Sequence, residues 1–367
     1  MICESFSFNS YPTENKAILE KTRESTEISS IPNKLKKKKI KNEKRKRKNA
    51  SKINIYNLDQ NKENINSTSY TKPNNIINNS LFITKNIFNL EEFKIKKEFL
   101  TEILIGLKKD EKINNPSYSS NIFAIQNESE INEKHRAVVI EWLSYMACYF
   151  SQNNETLFMS INIMDRYITK KKISLSIYQL VGIASYLIAS KYEDTNSPMI
   201  NELIYASKNI YTPEDIISME KDILITLNFD IFSVSTYQFF SFFYLVSNIN
   251  NKILFFLGHL ILEICLLNID IMSFNKSLIA IGALLIAKKS LQIKGSLSKI
   301  NAYYNYDESE LKEIQKKIVI FLNKIVYSEK NCLILDKFEK NKYLSVSYIF
   351  KCDDKYKMCN NICYKKG

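Results

Sequence analysis

The sequence predicts an all-α protein, on three observations. Only six glycines (Gly106, Gly182, Gly258, Gly282, Gly295, Gly367) and six prolines occur in 367 residues, too few for a sandwich or barrel of many tight turns. From about residue 95 onward, apolar residues recur at i, i+3, i+4 and i+7, the spacing of amphipathic helices packed on a core. A short apolar pattern also occurs twice: Tyr186–Lys191 reads YLIASK and Leu284–Lys289 reads LLIAKK, 98 residues apart. That offset exceeds a solenoid unit of roughly 20 to 50 residues and fits two copies of a compact helical domain.

Composition narrows the function classes. The chain is 45% hydrophobic and 25% charged, as expected of a soluble globular protein. No two glycines lie close together, which excludes a glycine-rich phosphate loop or dinucleotide fingerprint. The two histidines, His135 and His259, have no Cys or carboxylate at ligand spacing, so zinc hydrolysis and Ser-His-Asp chemistry lack a constellation. Neither a cofactor nor a metal is expected, and Cys332, Cys352, Cys359 and Cys363 are too irregularly spaced for a zinc site.

Taken in order, residues 1 to about 85 are rich in Asn, Lys, Ser and Glu with scattered single hydrophobes, a composition that cannot offset the entropy of ordering. This tail is read as disordered. The run Lys34–Lys48 holds eleven basic residues and one Glu, and so supplies ten of the thirteen net positive charges. Its residues Lys36, Lys37, Lys38, Lys39, Lys44, Arg45, Lys46, Arg47 and Lys48 fit a nuclear import signal; nonspecific nucleic-acid contact and a solvated charge block are the other readings. The body is near charge balance, without a bias for nucleic acid. The first residues have no continuous apolar stretch, so no secretory signal is expected, and no apolar run approaches the roughly 18 to 20 residues that span a bilayer.

In the body, the helix predicted over Ile177–Lys191 has Leu180, Ala184, Leu187 and Ile188 as its apolar stripe, with Lys191 on the same side. The small residues in GIASYLIAS and AIGALLIAK allow close approach from several sides, as the central helix of a five-helix bundle requires. A second helix, Thr212–Leu227, has a legible start: Thr212 caps it, Pro213 suits the first position, and Glu214 and Asp215 complement the dipole. Ile216, Met219, Ile223, Leu224 and Leu227 make its stripe, and Glu220 falls in the middle. A charge on an apolar face needs a partner. Either Lys191 and Glu220 pair with each other, or both lie on a surface left for another protein.

These residues carry a resemblance. HRAVVIEWL (His135–Leu143) resembles the opening of the cyclin box, and ETLFMSINIMDRY (Glu155–Tyr167), YQLVGIASYLIASKYED (Tyr178–Asp194) and YTPEDIISMEKDILITLNF (Tyr211–Phe229) resemble its successive helices. The similarity runs over about residues 95 to 346, and INEKHR before the box and KFEKNKYLSVS near the end resemble mitotic, A-type or B-type cyclins. The resemblance implies two consecutive five-helix cyclin-box domains, the first within 91–232 together with a short preceding helix over Glu98–Leu107 and the second over 233–346, with a tail at 1–90 before them and an extension at 347–367 after them.

It also implies function: a non-catalytic regulatory subunit that forms a heterodimer with a cyclin-dependent Ser/Thr kinase and activates it to control G2/M progression. By position, Lys191 and Glu220 face the kinase helix that carries an essential Glu, with Leu224, Phe229 and Ile231 as apolar contacts. His135, Val139, Trp142 and Gln179 match a patch for substrates with short docking motifs. Arg136 and Asp165 match a structural pair that holds two box helices together. Lys62, Glu63 and Asn64 spell a KEN degron read by the anaphase-promoting complex. An import receptor is a further partner; membrane and specific nucleic acid are not. Nuclear localisation is expected, with cytoplasmic shuttling left open. The alternatives are a transcriptional cyclin, a helical scaffold, or a two-repeat transcription factor of the factor IIB type, which predicts a basic body and an N-terminal zinc ribbon.

Overall fold

The computed structural model describes residues 97–351 except 117, 119–121, 127–130, 295–299, 301–303 and 329–330. The basic run, the KEN triplet and the tail read as disordered lie outside the described residues, as do Cys352, Cys359 and Cys363. Among the described residues there are thirteen α-helices and no strand.

A leading helix, α1 (Lys97–Asp110), precedes a first set of five: α2 (Glu133–Tyr149), α3 (Asn154–Lys170), α4 (Leu175–Glu193), α5 (Ile200–Ala206) and α6 (Pro213–Thr226). The second set is α7 (Thr236–Ser247), α8 (Lys252–Cys265), α9 (Ile269–Met272), α10 (Lys276–Ser290) and α11 (Glu308–Val326). α12 (Leu333–Glu339) and α13 (Tyr348–Lys351) follow.

Local chemistry sets the starts. At α6 the Thr212 hydroxyl accepts from the Asp215 amide (3.2 Å) and the Asp215 carboxylate accepts from the Thr212 amide (2.9 Å), with Pro213 at the first position. This reciprocal cap satisfies two donors that the helix ladder leaves free. Ser235 and Gln238 repeat it at α7, and Asn132, Asn251 and Asp307 cap α2, α8 and α11 with their side-chain oxygens.

The two apolar repeats identified in the sequence become α4 and α10, the central helix of each set. Both are buried on nearly every side, so the stripe expected on α4 is one part of an apolar surface that runs all the way round. Small residues make this possible. A Cβ at Gly182 would lie 2.8 Å from Val139 of α2, so the missing side chain lets α4 settle against that helix.

Helix α2 ties the two sets together. The Arg136 guanidinium, fully buried, donates to both Asp165 oxygens (2.9 and 2.7 Å) and to the Leu266 carbonyl beyond α8 (2.6 Å). The Ser144 hydroxyl donates to Glu263 (2.6 Å), which also receives Lys337 of α12 (2.5 Å). Glu141 accepts from the Leu333 amide (2.9 Å) and Glu133 from the Ile269 amide (3.0 Å). All described residues belong to one packed unit. Among them, no helix is long and apolar enough to cross a membrane.

Candidate functional site

The last turn of α4 and the outer face of α6 form one surface. Lys191 and Glu220 meet there, Nζ to Oε1 at 2.5 Å, with side chains 48% and 15% exposed. The two charges pair, and the pair stands at the surface. Ile216, Ile223 and Leu227 of α6 point into the core, while Ile217, Glu220 and Leu224 recur at helical spacing on another face. Ile217 is exposed and Leu224 half-buried; Tyr192 beside Lys191 is exposed as well. A hydrogen-bonded ion pair with large apolar neighbours open to solvent is the composition of a recognition surface.

Beyond α6 the chain turns sharply. The Phe229 amide donates to the Leu224 carbonyl (2.8 Å) and the Asn228 amide to Ile225 (3.0 Å), closing the helix with a left-handed turn. Asn228 (φ 53°) and Phe229 (φ 58°) both adopt left-handed backbone. Asn tolerates this; for a bulky side chain it costs of order 1–3 kcal/mol. The turn nevertheless leaves the Phe229 ring 68% exposed, so the strain presents an aromatic side chain and does not bury it. The following loop is pinned: Asn114 Nδ2 donates to Asp230 Oδ1 (2.7 Å) and to the Phe232 carbonyl (2.8 Å), and Arg166 Nη2 to the Asp230 carbonyl (2.7 Å). Ile231 is half-buried within it. Lys191, Glu220, Leu224 and Phe229 thus sit on a rigid frame. Ile217 and the left-handed turn escaped the sequence reading; the signal for the turn was Asn228.

The expected substrate patch is only partly at the surface. His135, Trp142 and Gln179 are half-buried. Val139 corrects the expectation: it is 1% exposed and packs against Gly182, so it belongs to the core between α2 and α4. Burial, then the neighbouring Lys134, hold the His135 pKa below its usual value, so this ring is neutral at pH 7. Tyr145, on the same helix, lies under the Lys340 ammonium, 5.1 Å from the ring centre.

Arg136 and Asp165 form a buried ion pair, and their remaining capacity is also used: the Tyr118 hydroxyl donates to Asp165 (2.6 Å) and Arg136 donates to the Leu266 carbonyl. Among the described residues there is no group of three His, Cys, Asp or Glu side chains placed to hold a metal ion.

Comparisons with known proteins bear on the family and the fold. The family model "Cyclin, N-terminal domain" matches residues 102–232 and "Cyclin, C-terminal domain" residues 234–351. Similar curated proteins include Cyclin-B1-2 of Arabidopsis thaliana, 30% identical over 66% of this chain and 53% of that one. Cyclin-B2-1 of Oryza sativa subsp. japonica is 32% identical over 62% and 53%, and G2/mitotic-specific cyclin-2 of Medicago sativa 28% identical over 67% and 70%. The chain spans about half the length of most curated relatives it matches. Among solved structures, a viral cyclin from herpesvirus saimiri superimposes with a TM-score of 0.53 at 22% identity, covering 60% of this chain and 97% of that one, which supports the fold.

Proposed function

The chain belongs to the cyclin family, and from that premise we propose that it is a mitotic-type regulatory subunit, without catalytic residues of its own, that binds and activates a cyclin-dependent Ser/Thr kinase. The single observation that carries this reading is the Lys191–Glu220 ion pair on an exposed face with Leu224 and a strained, outward Phe229. Such a face suits a partner helix: the apolar side chains supply contact area and the charged pair sets register.

The mechanism is a population shift. A kinase whose essential-Glu helix swings between two positions is active only when that carboxylate reaches its ATP-binding Lys. A subunit that binds the inward position more tightly increases its share by the difference in affinity. The rigid frame around Asp230 supports this role, because a surface already in its binding conformation loses little entropy on docking. Control of G2/M, nuclear localisation, substrate recruitment through Trp142 and Gln179, and turnover through Lys62, Glu63 and Asn64 belong to the same proposal.

The test exchanges the charges: Lys191→Glu with Glu220→Lys. The variant retains an internal ion pair and so keeps its fold, but presents the opposite polarity to a partner. Kinase binding measured by calorimetry should weaken by about 2–5 kcal/mol, with an unchanged circular dichroism spectrum. Binding within about tenfold of wild type, roughly 1.4 kcal/mol, refutes the assignment. A folded chain that ignores the kinase and retains promoter DNA favours the transcription-factor alternative.

A further inference from the structure

A cavity of about 520 Å³ lies between the turn after α1 and the C-terminal end of α3, lined by none of Lys191, Glu220, Leu224, Phe229 and Ile231. Its cationic lining is Lys112, Arg166 and Lys170, and no described residue lining it is acidic. Arg166 stands out. It is only 6% exposed, its Nη2 is committed to the Asp230 carbonyl, and its Nη1 is buried without a hydrogen-bond partner. A buried guanidinium N–H without an acceptor is unfavourable, and burial holds the Arg166 pKa below its ordinary value. The fork is held in place on one nitrogen and unpartnered on the other.

The geometry points to a binding pocket for a phosphorylated serine or threonine side chain of a partner polypeptide, with Arg166 Nη1 donating to the phosphate and Lys112 and Lys170 closing around it. A guanidinium with a free donor suits a phosphate oxygen, and two flexible ammonium groups add charge. The neighbouring polar groups are already engaged: the Thr169 hydroxyl donates to the Arg166 carbonyl and the Asn115 amide to the Glu111 carbonyl. That leaves the three cations as the free donors. A peptide is favoured over a free ion because the volume far exceeds a phosphate group and because Pro116, Ile122 and Ile125 give the cavity an apolar wall, which suits the residues flanking a phosphorylated side chain. This inference does not depend on kinase docking.

The test is fluorescence polarisation on the full chain without kinase, using a labelled peptide mixture with one fixed phosphoserine and randomised flanks. The phosphorylated mixture should bind at least tenfold more tightly than its unphosphorylated counterpart. Lys112 and Lys170 are exposed, so Lys112→Ala with Lys170→Ala keeps the fold and should weaken binding about tenfold, roughly 1.4 kcal/mol. Arg166→Lys, which keeps a positive charge but loses the fork, should do the same. Equal binding of the two mixtures, or phosphopeptide binding untouched by both variants, overturns the site. Inorganic phosphate that displaces the peptide at concentrations near the peptide's own dissociation constant overturns the peptide assignment in favour of a free anion.

Discussion

Replacing Asp165 by Asn tests how the two helical sets are held. The substitution is nearly isosteric, so it opens no cavity, but it removes the charge that compensates Arg136. That guanidinium is fully buried, with three donors spent on Asp165 and the Leu266 carbonyl. Burial alone favours loss of its proton, and the adjacent Asp165 carboxylate more than reverses this, so the Arg136 pKa stands above its ordinary value. Breaking a buried pair by removing one partner costs about 3–5 kcal/mol. At about 2–4 °C per kcal/mol for a domain of this size, Tm should fall by roughly 6–20 °C. Replacing both partners, Arg136→Met with Asp165→Leu, leaves no buried charge but takes the partner from the Leu266 carbonyl and from the Tyr118 hydroxyl, about 1–3 kcal/mol each. The assay is urea unfolding of the three proteins. A loss below about 1 kcal/mol for Asp165→Asn refutes the argument.

Two glycines should respond in opposite senses to alanine. A Cβ at Gly258 would fall on the Phe240 ring, in a packed core, so Gly258→Ala should cost about 1–3 kcal/mol. Gly106, inside α1, has open space around it, so Gly106→Ala should add about 0.5–1 kcal/mol; thermal unfolding distinguishes them. Glu155 predicts a pH dependence: burial, with the Ser235 hydroxyl opposing and Glu193 reinforcing, lifts its pKa to about 8. The unfolded chain releases that proton near 4.5, so the contribution of Glu155 is fully present below that pH and is lost as pH rises to about 8. Urea midpoints from pH 5 to 8 should fall less steeply in Glu155→Gln than in wild type; parallel curves exclude this origin.

Much of this was legible in sequence because it is local. The cap at Thr212 and the proline beside it use neighbours within one turn, and the structure places them as read; of the stripe of α6, Ile216, Ile223 and Leu227 are buried while Met219 and Leu224 are half-buried. Lys191 and Glu220 stood out because each interrupts an apolar pattern. Val139 misled for a different reason. The family resemblance put it in the patch with His135 and Trp142, and position alone does not reveal that Gly182 opens a space for it between α2 and α4. The Ser144–Glu263–Lys337 cluster was not read because its members are 119 and 74 residues apart, although Glu263 interrupts the apolar run Ile253–Leu267. Phe229 was expected at the face but not in left-handed backbone, since that conformation follows from how the loop is pinned by Asn114 and Arg166.

The links along α2 also have a meaning in time. Ser144 meets Lys337 across 193 residues, and a ribosome adding about 5–20 residues per second needs roughly 10–40 s to make the second after the first. Until then Glu263, synthesised midway, has no ammonium to receive, and the inner side of α2 has no cover from α12. The body therefore assembles only once residue 337 has been made, and a nascent chain stalled before that residue presents an acidic side chain and bare apolar helix faces. Those are features by which a chaperone or a protease can tell an unfinished chain from a complete one.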